Sequence, residues 1–197
     1  MSDEPIGIVA LGGTSQSGSS TEKALRLAIR GAEAAGARVT HYDGAFLTHL
    51  PHYGTKPLED LPQARGFIDC IRRADGLLIA SPGWHGSVSG LVKNAIDYLE
   101  ETATDARAYL DGLPVGLIVT AYGWQATGST LMTLRAVVHA LRGWPTPLGA
   151  AVNCSGGLFR DGVCTDDGVS RLLDTVGRQV AGFANTQRLA TLGRGAN

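Results

Sequence analysis

Gly76-Leu77-Leu78-Ile79-Ala80-Ser81-Pro82-Gly83-Trp84-His85-Gly86-Ser87-Val88-Ser89-Gly90-Leu91-Val92-Lys93-Asn94-Ala95-Ile96-Asp97-Tyr98 joins an apolar run to a segment of helical period through a polar, aromatic turn. Gly76–Ala80 has no polar side chain, as expected of a strand covered on both faces. Val88–Glu101 reads as the helix that follows it. In an open α/β sheet, the turn leaving the carboxyl end of such a strand is where a ligand is held.

Outward from this stretch, strand-like and helix-like segments alternate. Strands are expected at Ile6–Leu11, Arg38–Tyr42, Gly76–Ala80, Val115–Thr120 and, marked by proline as an edge, Pro145–Val152. Helices are expected at Glu22–Ala35, Leu61–Arg73, Val88–Glu101, Ser129–Leu141 and Gly168–Phe183. Ala24, Leu25, Ala28, Ile29 and Ala32 give the first helix its buried stripe. The alternation predicts an α/β three-layer sandwich around a five-stranded parallel sheet in the flavodoxin-like order 2-1-3-4-5. No linker or repeat divides the chain, so residues 1–197 read as a single flavodoxin-like domain with an ordered core of about 5–185 and a frayed Gly193–Asn197.

Composition narrows the partners. Seventeen Lys and Arg against 18 Asp and Glu give a net charge of −1, which supplies no basic field for nucleic acid or an anionic membrane. No apolar run approaches the roughly 20 residues that span a bilayer, and the acidic start lacks the features of a signal peptide. Cys70, Cys154 and Cys164 lack the paired spacing of a zinc or redox motif and read as free thiols in a reducing compartment, so a cytoplasmic location is expected. His49 and His52 have no third ligand at useful spacing, and no metal is assigned to them.

Three loops should meet at the carboxyl ends of the strands: after Leu11, after Ala80 and after Thr120. Gly12–Thr21 offers small residues and hydroxyls at a helix N-terminus, which suits a phosphate. The same hydroxyls also suit plain capping of that helix. Gly13 and Gly18 have the Walker A separation, but Ser19 stands where that motif needs lysine; Thr14 occupies the second glycine position of the dinucleotide fingerprint. A monophosphate that is held and not transferred fits best. The second loop sets Trp84 and His85 among the backbone donors of Gly83, Gly86 and Ser87, a surface for a flat heterocycle or, equally, ordinary packing. The third, Ala121–Gly128, again mixes glycine with aromatics. Lys93 and Asp97, four apart on one helix, read as an ion pair.

Gly13-Thr14 with Ser19 and Thr21, then Pro82–Ser87 running into Gly90–Tyr98, with Leu134-Arg135 after the third loop, resembles the NADPH-dependent FMN reductase family over roughly residues 6 to 152. The resemblance implies bound FMN as cofactor, NADPH or NADH as co-substrate, and a homodimer or homotetramer. On matching positions it implies that Thr14, Gln16, Ser19, Ser20 and Thr21 hold the phosphate. Pro82, Gly83, Trp84, His85, Gly86 and Ser87 would flank the ribityl chain and ring, and Gly123, Trp124 and Gln125 would lie near the ring. Gln16 stands where many relatives have arginine, Trp84 where tyrosine is usual and Ser89 where proline is common.

The implied reaction is hydride transfer from NAD(P)H to FMN N5, then electron delivery to a small-molecule acceptor: free flavin for a flavin-using monooxygenase, a quinone, an azo compound or a metal ion. The flavin carries the chemistry, so no catalytic side chain is assigned. The alternative is a flavodoxin-type electron-transfer protein without its own NAD(P)H activity, which near-neutral charge disfavours; a relative that has lost redox activity is a third reading.

Overall fold

The computed structural model describes residues 4–160 and 162–194. Its elements run β1 (Ile6–Gly12), α1 (Ser20–Ala34), β2 (Ala37–Tyr42), α2 (Gly44–His49), α3 (Pro62–Arg73), β3 (Gly76–Trp84), β4 (Ser87–Val88), α4 (Gly90–Asp97), β5 (Pro114–Ala121), α5 (Trp124–Ala140), β6 (Trp144–Pro145), β7 (Ala150–Asn153), β8 (Phe159–Arg160), β9 (Val163–Cys164) and α6 (Asp167–Arg194). Of the tail expected to fray, Gly195–Asn197 lie outside the described residues.

The α/β three-layer sandwich is present, and alternation along the strands explains it. Val9, Leu11, Leu77, Ile79, Val115, Leu117 and Val119 face one core, together with Phe67 and Ile71 of α3, Val92 and Ile96 of α4, and Leu134 and Val138 of α5. Ile8, Ala10, Leu78, Ala80 and Ile118, one residue out of step, face the other, which α1 and α6 close. The parallel order β2-β1-β3-β5, ending at an edge after β5, is the predicted topology.

The strand count exceeds the five expected. The segment read as one strand over Pro145–Val152 is two: β6 pairs the start of β5 and β7 its end. Pro145 and Pro147 have no N–H to give the ladder, so it breaks between them. The freed groups find side chains instead: Arg135 donates to the carbonyls of Thr146 and Pro147, and Gln179 Oε1 accepts the Leu148 N–H at 3.3 Å. A small antiparallel ribbon, β8–β9, lies off this sheet.

Boundaries of four elements also move. β3 runs four residues past Ala80 and folds back on β4, pairing Gly83 with Val88 and Trp84 with Ser87. The intervening His85 (φ 52°) and Gly86 (φ 77°) form a two-residue hairpin turn with both central φ positive. α4 therefore starts only at Gly90, with Ser89 Oγ accepting the Val92 N–H, and passes into a 3-10 turn over Tyr98–Thr102. α5 starts five residues earlier than expected, at Trp124, and α6 runs eleven residues past Phe183.

Candidate functional site

Beyond the carboxyl ends of β1, β3 and β5 lies a cleft of about 510 Å³, within the roughly 300–1,000 Å³ of small-ligand sites. The loop after β1 forms one wall with Thr14, Ser15, Gln16, Ser19, Ser20 and Thr21. The hairpin supplies Pro82, Gly83, Trp84 and His85, and the end of β5 with the first turn of α5 supplies Thr120, Ala121, Tyr122 and Ala126; Cys154 follows β7. None of these described lining residues is Asp, Glu, Lys or Arg.

Close backbone approach shapes the first wall. Gly12 and Gly13 have φ of 149° and 131°; a Cβ on Gly12 would stand 2.3 Å from the Ala80 carbonyl oxygen, so only glycine lets β1 turn into the loop beside β3. Thr14 Oγ1 then donates to the Gln16 carbonyl and accepts the Gln16 N–H, each at 3.1 Å. Ser19 Oγ caps α1 by accepting the Glu22 N–H at 3.3 Å. Glu22 reaches back so that its Oε2 accepts the Gly18 N–H at 2.9 Å, while Arg26 donates to Oε1 from Nε and Nη2 at 3.1 and 2.7 Å. Burial pushes the Glu22 carboxyl up, but the Arg26 guanidinium and the Gly18 amide outweigh it and hold it below its ordinary value, against opposition from Asp43. Thr21 and Thr120 share a buried 2.7 Å hydrogen bond that ties α1 to the end of β5.

The second wall is aromatic and solvent-facing. Trp84 is 54% exposed and Tyr122 82%, so both present free ring surface to the cleft mouth. Ser81 Oγ accepts the Ser89 N–H at 3.0 Å and Ser129 Oγ donates to the Gly86 carbonyl at 2.9 Å, fixing both sides of the hairpin. Gly83 is needed here, since a Cβ would meet Thr130 Oγ1 at 2.9 Å. The Cys154 thiol is pushed up by burial, drawn partly back by the Ser20 hydroxyl and raised again by the Cys164 thiol. It stays protonated near neutrality and is no nucleophile.

Of the residues expected at the site, Thr14, Gln16, Ser19, Ser20, Thr21, Pro82, Gly83, Trp84 and His85 come together on the cleft wall. Gly86, Ser87, Gly123, Trp124 and Gln125 are not on it. Gly86 and Ser87 form the far side of the hairpin, and Trp124, 69% exposed, opens α5. Sequence reasoning missed Ser15, Thr120, Ala121, Tyr122, Ala126 and Cys154. Thr120 and Tyr122 had a signal, their place at the carboxyl end of a central strand. Lys93 and Asp97 form the expected ion pair on α4.

Comparison with known proteins bears on this cleft. The sequence pattern of the family described as NADPH-dependent FMN reductase matches residues 6–156. An FMN-dependent NADPH-azoreductase of Staphylococcus haemolyticus is 32% identical over 111 residues, 55% of either chain; this chain thus spans about half the length of the curated relatives it matches. Two solved structures share the fold: an oxidoreductase from Corynebacterium diphtheriae (18% identity) and a flavoenzyme NAD(P)H:(acceptor) oxidoreductase from Paracoccus denitrificans (19%). Each has a TM-score of 0.71 over 92% of this chain and 98% of its own.

Proposed function

This chain belongs to the NADPH-dependent FMN reductase family, and from that premise we propose that it is an FMN-dependent NAD(P)H oxidoreductase serving a small-molecule acceptor such as free flavin, a quinone or an azo compound. The observation that carries the reading is the division of one cleft into a hydroxyl-lined end at the start of α1 and an aromatic end at Trp84 and Tyr122. That donor set fits FMN, which has a phosphate at one end and a flat heterocycle at the other.

In this reading Thr14, Gln16, Ser19, Ser20 and Thr21 hold the phosphate end with hydroxyl and amide donors. Pro82, Gly83, Trp84 and His85, with Tyr122, flank the ribityl chain and ring. Gly86, Ser87, Gly123, Trp124 and Gln125 back the hairpin and the helix that carry these groups. FMN, when bound, supplies the chemistry, taking two electrons as hydride from a nicotinamide and returning them to the acceptor. The protein positions the partners and leaves the exposed faces of Trp84 and Tyr122 at the mouth for the second substrate to lie against.

The exposed Trp84, Tyr122, Trp124 and Met132 support a homodimer or homotetramer with the cleft near the boundary. In the loop at His49–Tyr53, Tyr53 is committed within the protomer: its ring packs on Tyr98, and Asn94 Oδ1 accepts its N–H. Among the described residues no helix is long and apolar enough to cross a membrane. The free thiols Cys70, Cys154 and Cys164 support a cytoplasmic protein, and the single main sheet supports one domain.

The test is to follow NAD(P)H oxidation by the purified protein with FMN, alone and with added quinone or azo dye. Steady turnover without a partner protein is expected, and it also excludes a pure electron carrier. If neither nicotinamide nucleotide is consumed under any of these conditions, the proposal fails.

A further inference from the structure

The hairpin of the second wall turns on His85 and Gly86, both at positive φ (52° and 77°). Two-residue turns of this kind favour asparagine followed by glycine, because both residues tolerate the left-handed region. Gly86 follows that preference and His85 does not, so the turn gains nothing from the imidazole that asparagine would not supply. Nor does the ring have a structural task. It is exposed, and whereas His49 Nδ1 is hydrogen-bonded to the Ala45 carbonyl, His85 has no hydrogen-bond partner among the described residues. It lines the cleft next to Trp84, on a hairpin held from both sides by Ser81 and Ser129.

Few other groups around it exchange protons. The described lining has no Asp, Glu, Lys or Arg; the loop after β1 carries none before Glu22, the hairpin none before Lys93 and α5 none before Arg135. The other titratable groups on the lining are the Tyr122 phenol and the Cys154 thiol, the latter pushed up by burial. Imidazole is the one side chain whose ordinary titration falls between about pH 5 and 8. His85 is therefore the group on this wall suited both to give a proton and to recover it near neutrality.

That capacity matches what a quinone needs as second substrate. Two electrons and one proton, transferred together as hydride, leave a hydroquinone anion, and one more proton makes the neutral hydroquinone. Resting on the oxidoreductase reading above, we propose that His85 is a catalytic residue of this acceptor step: its protonated ring donates an N–H to the quinone oxygen and passes that proton across as the electrons arrive. One N–H bond breaks and one O–H bond forms. The quinone is reduced at the expense of the reduced cofactor, the ring is left neutral, and water at its exposed edge returns the proton. An acceptor such as ferricyanide, which takes one electron at a time and no proton, has no use for this donor.

The experiment compares the wild type with His85→Asn and His85→Gly at saturating FMN and nicotinamide nucleotide, with p-benzoquinone and with ferricyanide as acceptors, and melts all three proteins. In both variants kcat/KM for the quinone should fall at least about tenfold further than that for ferricyanide, below the full contribution of a general acid because water reaches the open mouth. Taking the ratio removes any loss of FMN, which both acceptors share. The wild-type ratio should decline with rising pH as the imidazolium is lost, and the ratios of the variants should not. His85→Asn should melt no lower than the wild type. A quinone-to-ferricyanide ratio within about threefold of the wild type in both variants overturns the proposal, as does a pH dependence that survives in them. A His85→Asn melting temperature lower by more than about 3 °C also overturns it, since the turn would then require the histidine. If the wild type oxidises neither nicotinamide nucleotide with either acceptor, the oxidoreductase reading itself fails, a result distinct from these.

Discussion

His41 on β2 has a buried Nε2 with no hydrogen-bond partner. Burial lowers its pKa, Arg26 lowers it further, and Asp43 and Glu22 oppose them without restoring it. The folded value therefore lies below the unfolded value of about 6.5, and between the two the unfolded chain binds more protons. Stability should rise with pH through that window and level off above it. Glu22 is shifted in the same direction and so with the same sign in pH, since its lowered value means that stability present above the unfolded carboxylate value of about 4.3 is lost as pH falls further. The two groups are thus separable by range. Melting temperatures of the wild type and His41→Gln measured across pH 5 to 7.5 should converge toward the acid end, because the variant lacks the histidine's slope; parallel curves would mean that His41 does not titrate as its burial requires.

At the scale of elements, α1 and α6 cross in close backbone contact. The contact depends on glycine: a Cβ on Gly177 would stand 1.9 Å from the Ala28 carbonyl oxygen, and one on Gly31 would stand 2.3 Å from that of Asp174. Gly182, farther along α6, has nothing within 4 Å. Gly177→Ala should cost about 2 kcal/mol or more, since overpacking exceeds the roughly 1 kcal/mol of helix propensity that alanine brings. Gly182→Ala gains the propensity alone and should stabilise by about 0.5–1 kcal/mol. Thermal or denaturant melts of the pair decide it, and equal shifts would remove the packing argument. The same glycines explain what the sequence did and did not disclose. Apolar alternation in β1, β3 and β5 made the sheet order legible, because strands buried on both faces leave a dense apolar signature. The end of α6 was obscured by Gly177, Gly182 and a polar face, whose meaning lies in contacts with α1. The hairpin at His85-Gly86 was hidden because histidine at positive φ is uncommon and the β3–β4 pairing is only two residues long. The start of α5 was hidden because Gly123 offers no side-chain cap. In the cleft, the first loop was legible from its hydroxyls, whereas Tyr122 reaches it only because β5 ends one residue earlier, at Ala121.

Over the whole molecule, charge is balanced in number and also in place. The arginines gathered at the amino ends of the strands, far from the cleft, are mostly committed: Arg107 donates to the carbonyls of Ile71, Arg72 and Ala74 at the end of α3, Arg188 pairs with Asp75, and Arg72 pairs with Asp69 and Asp105. They serve helix ends and ion pairs and leave little field in solution. The cleft wall has no charged side chain, and the clasp beside it is one cation against the carboxylates of Glu22 and Asp43. Electrostatic steering, which can raise association rates by about 10- to 1,000-fold and collapses with salt, therefore has no source here. For the proposed reaction, kcat/KM for NADPH should change by less than about threefold as ionic strength rises from about 0.02 to 0.3 M, although the screening length shortens severalfold over that range. Any change should be upward, because a polyanionic nucleotide approaches a protein of net charge −1. A tenfold fall with salt in steady-state assays would show that a cationic surface guides the nucleotide, and that the balance read from the whole chain does not hold at the mouth of the cleft.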